Sequence, residues 1–164
     1  MPEFKDNLFS AVLCEGDPLS YCGNHVAAVR EFGRVVKPGG AVIASVDNRA
    51  SAVNWLKDKD SLEAVERLLK TGDAITRREK EEYCYTIHAF TPEELRELFE
   101  ANGLKVERII GKLVIAGRLA CFQSKDPAIQ ERLYELEMKY NDNPAFYPWA
   151  GHLEIVGRKA RRSS

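Results

Sequence analysis

The sequence predicts an α/β chain: part of a doubly wound, mostly parallel sheet, with helical insertions and a final antiparallel strand. Three observations carry that expectation. Residues 9–14 (FSAVLC) and 41–46 (AVIASV) are short, nearly unbroken apolar runs, as expected of parallel strands covered on both faces. Between them Asn24 can cap a helix in which Val26, Val29, Phe32 or Gly33, and Val36 recur at helical spacing. Lys37-Pro38-Gly39-Gly40 then breaks the helix and turns the chain into the second run, which makes a right-handed strand–helix–strand crossover.

The remaining elements follow in order. Residues 50–69 are helical in pattern, in two pieces. Asp60-Ser61-Leu62-Glu63 offers a capping box for the second piece, and Leu62, Val65 and Leu69 line one side. Insertions at this position, after a strand's C-terminal end, cover the ligand crevice of open α/β sheets. Residues 71–80 read as a polar loop, and 82–88 (EYCYTIH) as a short strand or extended strap. In Thr91-Pro92-Glu93-Glu94, Thr91 caps a helix, Pro92 takes its first position and Glu94 closes the box. Leu95, Leu98 and Phe99 face the core, and Asn102-Gly103 ends the helix in a left-handed turn. Residues 104–110 form the next strand. Asp126-Pro127 opens a helix with Ile129, Leu133, Leu136 and Tyr140 on one side. The aromatic loop 144–149 leads to a short antiparallel strand at 152–158, expected near the sheet edge.

Composition narrows the classes. At 45% hydrophobic and 30% charged, the 164 residues suit one globular domain with a real core, which excludes global disorder. Lys+Arg 24 against Asp+Glu 25 lacks the basic excess that a nucleic-acid or membrane surface demands, and the basic tail 158–162 reads as a solvated terminus. The cysteines at 14, 22, 84 and 121 form no C-x-x-C, and nothing in the sequence requires a metal. No signal peptide and no apolar stretch approaching about 18 residues is present, which predicts a cytoplasmic protein with reduced thiols.

The order of elements resembles the second half of a class I, Rossmann-like S-adenosylmethionine-dependent methyltransferase. The residues that carry the resemblance are 12–21 (VLCEGDPLSY), 29–46 with R-x-V-x-K-P-G-G, 90–95 (FTPEEL), Ala101-Asn102-Gly103-Leu104 and 151–159. They stand where that family has its fourth and fifth strands, the helix between them, the helix before the sixth strand, and the antiparallel seventh. The resemblance implies S-adenosylmethionine as cofactor and a small-molecule methyl acceptor. It also implies that the family's glycine loop, the acidic residue ending its second strand and the contacts near its third would lie upstream of Met1. No G-x-G occurs in the chain and only eight residues precede the first apolar run, so the sequence reads as a truncated enzyme half, weak or inactive alone.

Candidate site residues follow from strand ends. The loop Glu15-Gly16-Asp17-Pro18-Leu19-Ser20-Tyr21 ends a parallel strand, where open α/β sheets bind ligands. By resemblance Glu15, Gly16, Asp17 and Leu19 face the cofactor, and Ser20 and Tyr21 the substrate. Gly16 allows close backbone approach, and Glu15 or Asp17 could lie near a sulfonium or take a proton; equally, Asp17-Pro18 is a turn initiator and Ser20 a cap. Asp47, Asn48 and Arg49 end the next strand and point into the same crevice, Arg49 toward a carboxylate, or else Asp47 or Asn48 caps the following helix. Tyr83, Tyr85 and His88 are either an aromatic wall over the substrate or a core stripe. His25 and His152 read as lone histidines with no adjacent carboxylate to fix a tautomer. Phe146, Tyr147 and Trp149 line a pocket or anchor a loop, and no catalytic base stands out.

A second reading makes the chain a non-catalytic assembly module. Without a preceding strand, 9–14 becomes a flat apolar sheet edge, and such edges invite pairing. The expectation is a homodimer or larger assembly with that edge at the contact.

Overall fold

The computed structural model describes residues 3–55, 61–77 and 84–161. Their main sheet has four strands, β1 (Phe9–Cys14), β2 (Val36–Asp47), β5 (Leu104–Lys112) and β6 (His152–Lys159), in the order β1-β2-β6-β5. β1 and β2 pair in parallel, and β6 runs antiparallel to both its neighbours, so three strands point one way. A separate hairpin pairs β3 (Asp73–Arg77) with β4 (Cys84–His88). The helices are α1 (Pro18–Tyr21), α2 (His25–Val35), α3 (Arg49–Trp55), α4 (Leu62–Thr71), α5 (Pro92–Ala101) and α6 (Pro127–Tyr140).

Local chemistry sets these boundaries. Asn24, Ser61, Thr91 and Asp126 each accept a backbone N–H from the first turn of α2, α4, α5 and α6, respectively. Pro92 and Pro127 occupy first-turn positions where no donor is needed. Gly103, at φ 75°, closes α5 as expected. α2 stops at Val35, and residues 37–40 stand opposite Ser10 alone, because Phe9 pairs with Val36 and Ala11 with Ala41. Lys37-Pro38-Gly39-Gly40 is thus a bulge at the start of β2, with Gly39 at φ 81°.

One sheet face is sealed. Val42, Ala44, Val46, Leu153, Ile155 and Leu104 pack against Val29, Leu95, Phe99 and Phe90 with no more than 1% of any residue exposed. Of the residues expected on α5's core face, Leu95 and Phe99 are fully buried and Leu98 partly. The alternate positions of β1 remain open, with Leu13 69% exposed. No helix among the described residues is long and apolar enough to cross a membrane.

Several expectations are corrected. The run 9–14 is not central and covered on both faces: among the described residues β1 is an edge strand paired only with β2. β6 is not near the sheet edge but sits inside, between β2 and β5, which explains why Leu153, Ile155 and Gly157 are buried. Residues 73–77 are a strand rather than loop, because hairpin pairing with β4 satisfies a polar backbone that the side-chain pattern alone leaves unassigned. In α4 the buried residue is Leu68, whereas Leu62 and Leu69 are exposed; the helix packs on Ala52, Ala74, Ile87 and Ala89 around the hairpin, not on the main sheet. In α6, Leu133 is buried and Leu136 exposed. Tyr83 lies outside the described residues, as does Asp60.

Candidate functional site

The C-terminal ends of β1 and β2 meet the first residue of β6 at one rim of the sheet. Register alone dictates much of this: Asp47 stands opposite His152, and His152 opposite Lys112. Directly paired residues in antiparallel strands project to the same face, so an acid, an imidazole and an ammonium share one row. The loop after β1 folds over that row. Gly16 (φ 85°) and Asp17 (φ 63°) both adopt left-handed backbone, and their N–H groups donate to Ser45 Oγ at 3.0 and 3.1 Å. Asp tolerates that conformation better than most side chains, and Gly16 leaves open space where a Cβ would stand.

Folding the loop this way assembles the first cluster. His152 Nδ1 is 3.0 Å from Asp17 Oδ2 and 3.5 Å from Asp47 Oδ1. Neither approach is an aligned hydrogen bond: Nδ1, Asp17 Oδ1 and Asp47 Oδ2 are buried without a hydrogen-bond partner. The Asp17 and Asp47 carboxylates outweigh the cost of burial and push the His152 imidazole up to about 10. Burial alone would raise the Asp17 carboxyl, but His152, Ser45 and Lys112 together hold it below its ordinary value. Beside this cluster Lys112 Nζ bridges Glu15 at 2.6 Å and Glu154 at 2.7 Å. His152 is therefore not the lone histidine the sequence suggested; its carboxylates come from remote segments.

A second cluster continues from Arg49. His88 lies between Asp73 Oδ1 and Glu94 Oε1, each 2.8 Å from a ring nitrogen, and as the imidazolium donates to both; Glu94 also pairs with Arg49, whose Nε donates to Ala89 O at 3.0 Å. Burial would depress the His88 pKa, yet its hydrogen bonds to Glu94 and Asp73 prevail and raise it. Glu94 is held low: burial works against ionisation, but His88 and Arg49 outweigh it, with the Thr91 backbone amide adding to them as a capping box requires. His25 stacks on His88 with ring centroids 4.4 Å apart, and burial followed by the His88 charge pushes its pKa down. His25 is thereby biased to the neutral imidazole and His88 to the charged one.

The expected site residues divide by what their atoms already do. Glu15, Gly16, Asp17, Asp47, Arg49 and His88 gather at the rim in these clusters. Leu19 is 1% exposed within the main core, and Ser20 Oγ accepts the Asp47 N–H at 2.9 Å, so both shape the loop from beneath. Asn48 is buried, and its Nδ2 donates to Tyr147 O at 2.7 Å and Ala150 O at 2.8 Å, clamping the 144–150 turn to the strand end. Tyr21 and Tyr85 are surface side chains. Tyr147 donates its hydroxyl to Ile109 O at 2.7 Å, and Phe146 packs between Tyr140 and Trp149, so this aromatic group anchors its loop. The residues the sequence reading missed are Ser45, Asp73, Glu94 in its paired role, Lys112 and Glu154. Placing the antiparallel strand beside 41–46 would have exposed most of them, because the end of one strand and the start of the other must then abut.

Solved structures place this architecture. Over 98% of its length the chain superposes, at 16% identity and a TM-score of 0.62, on a SAM-dependent methyltransferase from Methanosarcina mazei, covering 63% of that chain. Over 95% of its length it matches an S-adenosylmethionine-dependent methyltransferase from Mesorhizobium loti at 14% identity and a TM-score of 0.58, covering 64% of that chain. The described elements therefore have the fold of class I, Rossmann-like methyltransferases, and the chain spans less than two thirds of the length of these matched structures. No family model and no curated protein matches the sequence.

Proposed function

We propose that this chain forms the methyl-acceptor side of the ligand crevice of a small-molecule methyltransferase that uses S-adenosylmethionine. The observation that carries this reading is the rim itself: the post-β1 loop, pinned open at Gly16 by Ser45, lies beside a row of ionisable groups at the C-terminal strand ends, where open α/β sheets take their ligands. The residues fit one flank of such a cofactor. Glu15, Gly16 and Asp17 would face it, with Leu19 holding the loop from beneath; the cofactor supplies an electrophilic methyl on a sulfonium. Tyr21, Asp47, Arg49, Tyr85 and His88 border the acceptor side, while Ser20 and Asn48 position the backbone. Catalysis of this kind rests mainly on orientation, which fits a rim whose side chains are held by several partners each.

Residues 1–164 alone supply no glycine loop of the G-x-G type, so their own affinity for S-adenosylmethionine is expected to be weak. Titration calorimetry tests this. Weak heats that vanish in Gly16→Val are expected, since a β-branched residue is strained at positive φ; micromolar affinity of the 164-residue chain would contradict the one-flank reading.

The assembly reading has its own support. Among the described residues β1 is unpaired on one side, with Leu13 69% and Leu8 44% exposed along it. We infer a homodimer or larger assembly in which this edge is covered. Light scattering at high dilution is expected to show the dimer mass and Leu13→Lys the monomer; a monodisperse wild-type monomer would sink the inference.

A further inference from the structure

The geometry points to a divalent-cation site formed by Asp17, Asp47 and His152. One ligand atom from each of the three lies within 4.8 Å of the other two. The two spacings to His152 Nδ1 are those of donors on a common ion. With bonds of about 2.1 Å, neighbouring ligands stand about 3.0 Å apart at a right angle and about 3.4 Å apart at a tetrahedral one. The observed separations are 3.0 Å from His152 to Asp17 and 3.5 Å to Asp47.

The second observation is independent of spacing. The Asp47 side chain is only 6% exposed, its carboxylate faces His152, and its Oδ2 has no hydrogen-bond partner. A buried carboxylate oxygen without a partner is costly, and Asp17 Oδ1 and His152 Nδ1 share the condition. A metal ion bound by one oxygen of each carboxylate and by Nδ1 would set a cation against these buried groups. Charge agrees once the ion displaces the proton that the two carboxylates favour on His152: two carboxylates and a neutral imidazole then carry −2, and the Lys112 ammonium is already balanced by Glu15 and Glu154. Two hard oxygens and one imidazole suit Mn2+, Zn2+ or Mg2+ rather than a soft thiophilic ion. Three protein ligands leave positions for water or an oxygen of a bound molecule, in the crevice where a substrate would sit. The site holds whether or not the chain transfers methyl groups.

The test is a Mn2+ titration of the metal-free 164-residue chain, followed by the electron paramagnetic resonance of free Mn2+. One saturable ion per chain is expected, weakened at least about tenfold in Asp47→Asn and in His152→Gln. Asp142→Asn, which touches only the surface pair with Arg108, is expected to bind as wild type. In the wild-type chain, paramagnetic broadening should reach the amide signals of Gly16, Asp17, Asp47 and His152 first, a readout that needs no variant to fold. Absence of saturable binding, binding retained by both site variants, or broadening centred elsewhere would overturn the assignment.

Discussion

Replacing Ser45 by alanine isolates the contact on which the rim depends. Ser45 is 2% exposed, and its hydroxyl oxygen accepts the N–H groups of Gly16 and Asp17 while lowering the Asp17 carboxyl. In Ser45→Ala the exposed Gly16 N–H can turn to water, at little cost. The half-buried Asp17 N–H cannot do so freely, and an unsatisfied donor there costs about 1–3 kcal/mol. With a few tenths more for the Gly16 bond, the expected loss is about 2 kcal/mol. For a chain of this size that lowers Tm by about 4–8 °C. Urea denaturation measures the loss, and amide hydrogen exchange locates it: Gly16 and Asp17 should lose protection before the core strands do. A change below about 0.5 kcal/mol, the range of an ordinary surface substitution, with unchanged exchange at both amides would refute the claim that Ser45 holds the loop.

Other substitutions test the packing and the charge clusters. Leu68→Ala should cost about 2–5 kcal/mol and Leu69→Ala less than about 0.5 kcal/mol in urea melts, since only the former is buried; equal effects would contradict the face assigned to α4. Gly157→Ala places a Cβ 2.6 Å from the Phe99 ring and should destabilise by about 1–3 kcal/mol; a neutral effect would mean the ring has room to move. His88, flanked by Asp73, Glu94 and stacked His25, has a raised pKa. Its contribution is therefore complete below the ordinary histidine value and is lost as pH rises through the higher folded one. The depressed Glu94 gives the opposite limb, present above the ordinary carboxylate range and lost as pH falls. His88→Gln should thus destabilise more near about pH 6 than near about pH 9, and a penalty independent of pH would refute the charged assignment.

Much of the fold was legible because local signals agreed with tertiary packing. Asn24, Thr91-Pro92 and Asp126-Pro127 mark helix starts by backbone chemistry that holds in any context, and 41–46 is apolar enough to be a buried strand. The misreadings share a cause. The face of 62–71 depends on what it packs against, and its partner is a hairpin whose first strand, Asp73–Arg77, is too polar to be seen by pattern. The edge position of β1 and the interior position of β6 are facts of strand order, which hydrophobic runs do not encode. At the rim, strand-end reasoning brought Asp17, Asp47 and Arg49 together, because all three follow the C-terminal ends of parallel strands. It passed over His152 and Lys112, whose relation to Asp47 exists only in the antiparallel register. The pairing of His88 with Glu94, six residues apart, was within reach of the sequence, since a strand end runs straight into a capped helix.

The central claim is that the post-β1 loop and the end of β2 form one flank of a cofactor crevice. A 15N-edited NMR titration of the 164-residue chain with S-adenosylmethionine addresses it most directly. Small, fast-exchange shifts concentrated in residues 15–21 and 47–49 are expected. Shifts confined to other elements, or none anywhere, would contradict it.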